Sequence, residues 1–432
     1  MPIVCSEAAL QYSMGLTPTP AHAATEPQIQ WLTTDMSSAS VTIVGAGPSG
    51  LTLAWWLIQR GHTITVLERE SIVPKDMRAS TFHPATLDLL ADSGLADELV
   101  ARGTIVPQWQ YLIHESAERA VFDMACLSDV TAYPFRLQCE QFQLTELLAA
   151  RLAEHPSCSL HFGAEVKAVT ASAYGVQIQY QHHSESVDVD CDWLVAADGA
   201  SSQVRKSLGL IFDGQVFPKT SITLVLDYPF EDDIANLLGV NYVWLPDRHY
   251  SLMRLRNTWR FTYSPEQDQD VDTALSDPVA RAHIANVSAA AAGATIRSRN
   301  HYTLHQRCLD RFCHDRVLFV GDAAHLNSPA GGMGMNSGIH DARSLADHLV
   351  PVLEGEDPVL LKRYDRRRRT IAREEVQRLS AQNYARHRET QADKRQVIWR
   401  ELQETVSDPV KHRDYLLDAA MIRSREREQT IE

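Results

Sequence analysis

The sequence predicts an α/β fold: a parallel-sheet half, an interleaved mixed β-sheet and a helical C-terminal tail. Three stretches predict it. The first is SVTIVGAGPSGLTLAWWLIQRGHTITVLERE, residues 40–70. Residues 41–44 make a short apolar run suited to a strand buried on both faces. Gly45, Gly47 and Gly50 then form G-x-G-x-x-G, opening an apolar helix expected over 49–60 that starts at Ser49. Gly61 is placed to stop that helix, a second strand is expected over 63–67, and Glu68 closes it. Glycines let the backbone turn tightly and approach a pyrophosphate, the helix N-terminus offers unpaired N–H groups, and a carboxylate at the second strand reaches ribose hydroxyls. The unit is therefore Rossmann-like and binds a dinucleotide. Whether that is NAD or FAD is decided elsewhere in the chain.

The second stretch is DWLVAADGASSQVRKSLGL, residues 192–210. A buried strand over 193–197 ends at Asp198-Gly199, and Ser201 or Ser202 can cap a helix through Val204 and Arg205. The third is RVLFVGDAAHLNSPAGGMGMNSGIHDARSLADHL, residues 316–349. A strand over 317–320 runs into Gly321-Asp322, where a carboxylate at a strand's carboxyl end can accept from a polyol. A Gly-rich loop over 329–336 precedes a helix expected from about Ser337. Its successive N–H groups suit developing negative charge. His325 has two readings, catalytic or satisfied by backbone, and the second is favoured.

Composition narrows the classes. Hydrophobic content of 44% and charge of 22% are those of a globular chain, and the formal net charge of −14 argues against nucleic acid as the main partner. From Leu361 onward 18 Lys and Arg stand against 13 Asp and Glu, a balance of +5 that leaves −19 for the rest. The basic run 362–369 is either an anion or membrane patch or a solvated helix face paired with acids such as Glu374 and Glu375; the second is favoured. Seven scattered cysteines with no C-x-x-C support neither a disulfide framework nor a metal site, and a reducing cytoplasm fits them. No apolar run is long enough to span a membrane. Residues 1–38 read as a disordered extension, with Met36 as an alternative start. No second G-x-G-x-x-G occurs, which excludes a two-site flavin reductase with separate nucleotide domains.

Together these stretches resemble the class A flavin-dependent aromatic hydroxylases, the para-hydroxybenzoate hydroxylase type, in consistent order from about Val41 to about Ser380. The resemblance implies a Rossmann-like FAD-binding domain of the GR2 type. It would comprise 39–103, 136–212 and 305–360, with a substrate-binding sheet at 104–135 and 213–304 and C-terminal helices over 361–432. GAGPSG matches the pyrophosphate turn (Gly45, Gly47, Ser49, Gly50) and Glu68 the adenosine-ribose acid. RASTFHPATLDLL matches a segment in which Arg78 would contact FAD or the nicotinamide, and in LQCEQFQLTELL Gln141 falls at a flavin-contacting glutamine. AADGASSQVR, with Asp198, matches a motif serving FAD and NAD(P)H together. In GDAAHLNSPAGGMGMN, Asp322 would bind the ribityl chain and Pro329 would lie near the reacting edge of the flavin. Gly334, Met335 and Asn336 would hold the ring. YDRRRRTIA resembles the family's basic helix.

The implied cofactor is FAD, with NADH or NADPH as transient cosubstrate. The implied reaction is hydroxylation of a small aromatic or N-heteroaromatic compound by O2 through a flavin C4a-hydroperoxide, in a monomer or homodimer. NYVWLPDRHYSLMRLRNTWRFTY reads as two or three strands of a substrate-covering sheet, with His249, Ser251 and Met253 on one face and Tyr250, Leu252 and Arg254 on the other. His249 or Tyr250 is a candidate to assist deprotonation and Arg254 to pair a carboxylate; against this, the Arg face is solvated and Tyr250 packs in the core. Other classes on this fold are flavin-dependent halogenases, whose W-x-W-x-I-P is absent (Trp244-Leu245-Pro246 is a superficial echo), saturated-bond reductases, and non-catalytic flavin-binding proteins.

Overall fold

A computed structural model describes residues 39–75, 79–216, 220–266 and 269–432. The expected extension over 1–38 and Arg78 lie outside the described residues. The Rossmann-like half is a six-stranded sheet in the order Cys313–His314, Val317–Phe319, Trp193–Ala196, Val41–Val44, Ile64–Glu68, Cys158–Phe162. Its strands pair in parallel except at the Cys313–His314 edge. Val41–Val44 and Trp193–Ala196 lie side by side at its centre, fully buried, which is why both are continuous apolar runs. Their carboxyl ends present Gly45 and Ala197 together, at the edge where ligands of such sheets bind.

The first helix, Pro48–Gln59, starts with Pro at its first turn and packs against the long helix Met333–Leu353. Met333–Leu353 begins four residues ahead of expectation. Gly332, at φ +70°, is its N-cap, so the loop turns into helix at once instead of continuing to Ser337.

A seven-stranded sheet forms the other half, in the order Thr295–Tyr302, Ser221–Asp227, Trp259–Tyr263, His249–Arg254, Val240–Trp244, Gln108–Ile113, Arg119–Asp123. Alternation divides its faces. Ile222, Leu224, Leu226, Leu252 and Phe261 pack one face into a buried cluster with Ala274, Ala280 and Ile284 from two short helices. The opposite face looks toward the Rossmann-like half.

The tail runs Leu360–Ile371, a π-helical turn over Ala372–Gln377, Arg378–Arg388, Ala392–Ser407, Pro409–Ala419 and Ile422–Thr430. Its basic run is neither a membrane patch nor simply solvated. Arg368 is fully buried between Asp341 and Glu428, Arg363 pairs with Glu432, and Arg366 and Arg367 donate to the carbonyls of Glu432 and Ile431. Glu374 and Glu375 bind Arg427 instead, which together fastens the last helix. Among the described residues no helix is long and apolar enough to cross a membrane.

Candidate functional site

One cavity of about 1230 Å³ runs between the two halves. At one end it is lined by Gly45, Gly47, Ser49, Glu68, Asp198 and Gly199. Gly45 holds φ +108°, and a Cβ there would stand 2.4 Å from the carbonyl oxygen of Ala197, so only glycine permits the turn. Gly47 faces open space, as a backbone receiving a ligand must. Gly50 does not line the cavity; an added Cβ would lie 2.1 Å from the Gly45 carbonyl oxygen, so its role is close packing of helix on turn. Glu68 Oε2 accepts from Ala46 N (2.7 Å) and Oε1 from Glu70 N (2.9 Å). The carboxylate thus fixes the turn itself, and its remaining lone pairs are left for hydroxyls.

Asp198 Oδ2 accepts from Gln203 N (2.7 Å) and Val204 N (3.1 Å), while Ser202 Oγ caps Arg205 N (3.0 Å). The buried Oδ1 of Asp198 has no protein partner, and burial raises the pKa of its carboxyl. Arg205 donates to the carbonyls of Ala200 (2.7 Å) and Ala323 (3.0 Å), joining this turn to the Gly321–Ala323 turn that carries Asp322. An orphaned acceptor, an open glycine backbone, an unsatisfied helix N-terminus and Lys167 and Lys206 on the wall together fit an adenine dinucleotide.

Midway, Asp322, Pro329, Gly334 and Met335 line the cavity, Asp322 and Pro329 exposed to it, and Gln141 opens the helix Gln141–Glu154 at its wall. Asn336 does not line it. Its buried side chain accepts from His83 N (3.0 Å) and donates to the carbonyls of Thr81 (2.8 Å) and Gly332 (2.6 Å), so it holds the Gly-rich loop to the strand Thr81–Phe82. His83 Nε2 also lies 2.7 Å from the Gly331 carbonyl oxygen.

The far end is an aromatic chamber roofed by the seven-stranded sheet. The cross-strand row Tyr111, Tyr242, Ser251, Thr262, Thr223, Asn300 lies along the cavity, as do Trp109, Met253 and Arg260 in the adjoining row. His249, Ser251 and Met253 face inward, as alternation predicts. His249 Nε2 lies 3.1 Å from Ser264 Oγ, and its ring packs on His387 at 4.8 Å. Burial, then Arg388 and Arg395, lower the pKa of His387 to about 3, so this imidazole is neutral.

Three expectations are corrected. Tyr250 is buried on the opposite face, its hydroxyl 2.8 Å from His114 Nδ1, and burial raises its pKa beyond reach. Arg254 is engaged by Glu231 and stacks on Trp259, away from the cavity. Both are on the face that alternation turns outward. His325 is satisfied not by backbone but by Asp341 Oδ2 at 2.7 Å, deep in the core. Sequence reasoning missed the tail's contribution: Tyr384, His387 and Arg388 from one helix and Tyr415 from another wall the chamber. The cluster YARHR (384–388) was the available signal.

A glycine cradle continuous with a dry aromatic chamber defines a flavoprotein acting on ring compounds. The FAD binding domain family matches residues 38–379. The chain is 29% identical over 395 residues to para-nitrophenol 4-monooxygenase of Pseudomonas sp. (strain WBC-3), covering 89% of this chain and 96% of that protein. It is 29% identical to 6-hydroxy-3-succinoylpyridine 3-monooxygenase of Pseudomonas putida (strain S16), covering 77% and 85%. The crystal structure of p-nitrophenol 4-monooxygenase from Pseudomonas putida DLL-E4 superimposes with a TM-score of 0.82 at 27% identity, covering 88% of this chain and 97% of that one. The chain belongs to the FAD-binding class A aromatic hydroxylases, and it is an FAD-dependent monooxygenase.

Proposed function

We propose that the chain is a single-component monooxygenase that consumes NADH or NADPH and hydroxylates a small aromatic or N-heteroaromatic substrate. The observation that carries this is the single cavity, about 1230 Å³, joining the glycine cradle to the aromatic chamber. It exceeds the usual size of a small-ligand pocket and suits a dinucleotide and a ring together. The relatives named for a nitrophenol and a hydroxypyridine support the substrate class.

Gly47 and the first turn of Pro48–Gln59 would receive the pyrophosphate, Glu68 the ribose hydroxyls and Asp322 the ribityl hydroxyls. Asp198, Gln141 and the backbone at Gly334 and Met335 would complete the cofactor set, beside Arg78. When bound, FAD supplies the redox chemistry, accepting electrons from the nicotinamide and activating O2. The chain's own part is to orient the ring against Pro329, exclude water with Trp109, Tyr111, Tyr242 and Tyr415, and manage one proton. His249, beside Ser264 and the neutral His387, is the group positioned to take the proton of a ring hydroxyl.

The test is NADH- and NADPH-dependent O2 uptake by the purified FAD-loaded protein with phenols, hydroxybenzoates, hydroxypyridines and hydroxyquinolones, following H2O2 and product mass together. Uptake stimulated by one class, with little peroxide and a product one oxygen heavier, supports the reading. No stimulated uptake across the panel overturns it.

A further inference from the structure

The chamber's charges are one-sided. Arg136 lies on its wall with only 4% of its surface exposed, its guanidinium 4.2 Å above the Trp109 ring and its Nη1 donating to the Tyr242 hydroxyl at 3.5 Å. Its buried Nε has no hydrogen-bond partner. Among the described residues no carboxylate stands within ion-pair distance of it. The acids that line the cavity, Glu68, Glu70, Glu165, Asp198 and Asp322, all belong to the cofactor end. Nor is the charge masked nearby. His83, one position along from the paired Phe82 and Leu137, is driven to a pKa of about 3 by burial first and by Arg136 second.

A buried guanidinium without a counter-charge is costly unless a ligand completes it. Here the wall beside it is aromatic and opens on the space next to the Gly-rich loop, through His83 and the Gly331 carbonyl. We propose that Arg136, assisted by the Tyr242 hydroxyl, recognises an anionic oxygen on the aromatic substrate, either a carboxylate or a phenolate. The ring itself stacks within the Trp109, Tyr111 and Tyr242 surround. A planar fork of donors is suited to such oxygens and discriminates against neutral isosteres. This assignment rests on the hydroxylase reading above and names its substrate more narrowly.

The experiment is a set of binding titrations on FAD-loaded protein, read from the flavin difference spectrum, for wild type, Arg136→Gln and Arg136→Lys. The probes are 4-hydroxybenzoate, its neutral analogue 4-hydroxybenzamide, and 4-nitrophenol below and above neutrality. The wild type should bind an anionic probe about tenfold or more tighter than its neutral counterpart, the scale of a hydrogen bond to a charged group. Arg136→Gln should abolish that preference while leaving 4-hydroxybenzamide nearly unchanged, and Arg136→Lys should restore part of it. A preference for 4-hydroxybenzoate identifies a carboxylate; tightening of 4-nitrophenol with pH identifies a phenolate. Absence of any charge preference, no binding of either anion, or equal loss of charged and neutral probes in Arg136→Gln overturns the assignment. The two readings fail separately. Charge preference without stimulated O2 uptake defeats only the hydroxylase, and uptake stimulated equally by neutral and anionic probes defeats only the Arg136 assignment.

Discussion

His325 Nε2 lies 2.7 Å from Asp341 Oδ2, and this buried pair ties the turn bearing Asp322 to the helix behind the Gly-rich loop. The same oxygen accepts from Gly321 N at 2.9 Å, and Oδ1 accepts from Arg368 Nε at 2.7 Å. Cofactor turn, long helix and C-terminal tail therefore meet at one carboxylate.

Arg368→Leu should destabilise the protein by about 3–5 kcal/mol, because it strands a buried charge instead of removing a pair. Burial alone would raise the Asp341 carboxyl, but His325 and Arg368 overcome it and hold the pKa well below the ordinary carboxylate range. The stability this supplies is present above the unfolded value, near 4, and is lost only as pH falls below it. Urea titrations at neutral pH and in acid check both statements: the Arg368→Leu cost should be large at neutrality.

The local motifs were legible in the sequence because backbone geometry alone makes them. The Gly45 turn needs a positive φ, Ser202 caps its helix by side-chain chemistry, and period-two alternation alone turns His249, Ser251 and Met253 inward. What joins distant segments was not legible. The carboxylate that satisfies His325 lies sixteen residues on, across a loop and a helix turn. His387 and Tyr415 reach the chamber from a tail whose periodicity reports a helix but not its destination; His412 anchors that tail by accepting from Asp123 N, 289 residues away. Arg136 enters the chamber only because its strand, Arg136–Gln138, pairs between Thr81–Phe82 and Thr104–Val106.

Removal of Asn336 exposes how the loop is held. Asn336→Ala leaves His83 N and the carbonyls of Thr81 and Gly332 without their partner, at about 1–3 kcal/mol for each buried group left unsatisfied. Asn336→Asp should do worse, since it turns an acceptor toward two carbonyls. Both variants should lower Tm and raise the share of NAD(P)H that ends as H2O2, because a misplaced loop admits water beside the flavin. Normal coupling in a destabilised Asn336→Ala protein would limit the residue to stability alone.

Buried neutral histidines set the acid sensitivity. His83 and His387 titrate near 3, lowered by burial first and by neighbouring arginines second. Their unfolded forms take up protons from about pH 6.5 downward while the folded forms do not, so stability falls as pH drops from there toward 3. Each should contribute a slope approaching about 1.4 kcal/mol per pH unit across that window. His387→Gln should flatten the pH dependence of urea unfolding between pH 6 and about 4, whatever it does to stability at pH 8. An unchanged slope would mean that His387 is protonated in the folded chain.

Glu68 has a role that separates cofactor retention from chemistry. Its two oxygens hold Ala46 N and Glu70 N, so Glu68→Ala both loosens the glycine turn and removes an acceptor for the ribose. Two charge-assisted bonds of this type predict a loss of about 10- to 100-fold or more in FAD affinity. The flavin that remains bound should turn over at a near-normal rate. Fluorescence titration of apoprotein with FAD, paired with activity per bound flavin, measures each part. Loss of activity per flavin at unchanged affinity would move Glu68 from holding the cofactor to the chemistry.

The sharpest division between half-reactions is expected at His249. It lines the aromatic chamber beside Ser264 Oγ, with the neutral His387 ring against it, whereas Asp322 and Asp198 line the opposite end. A group that takes a proton from the substrate ring has no work to do while the nicotinamide reduces the flavin. His249→Ala should therefore slow oxygen transfer by about 100-fold or more, the usual scale for a positioned acid or base, and leave flavin reduction within a few-fold of wild type. Stopped-flow measurement separates the steps, since reduction is followed anaerobically and oxygen transfer after mixing with O2. His249→Gln keeps the size and a hydrogen-bonding atom but cannot exchange the proton, so it should resemble alanine in rate and wild type in stability. Equal slowing of both half-reactions would assign His249 to shaping the cavity, and the proton would then have to leave the substrate by way of Tyr242 or solvent.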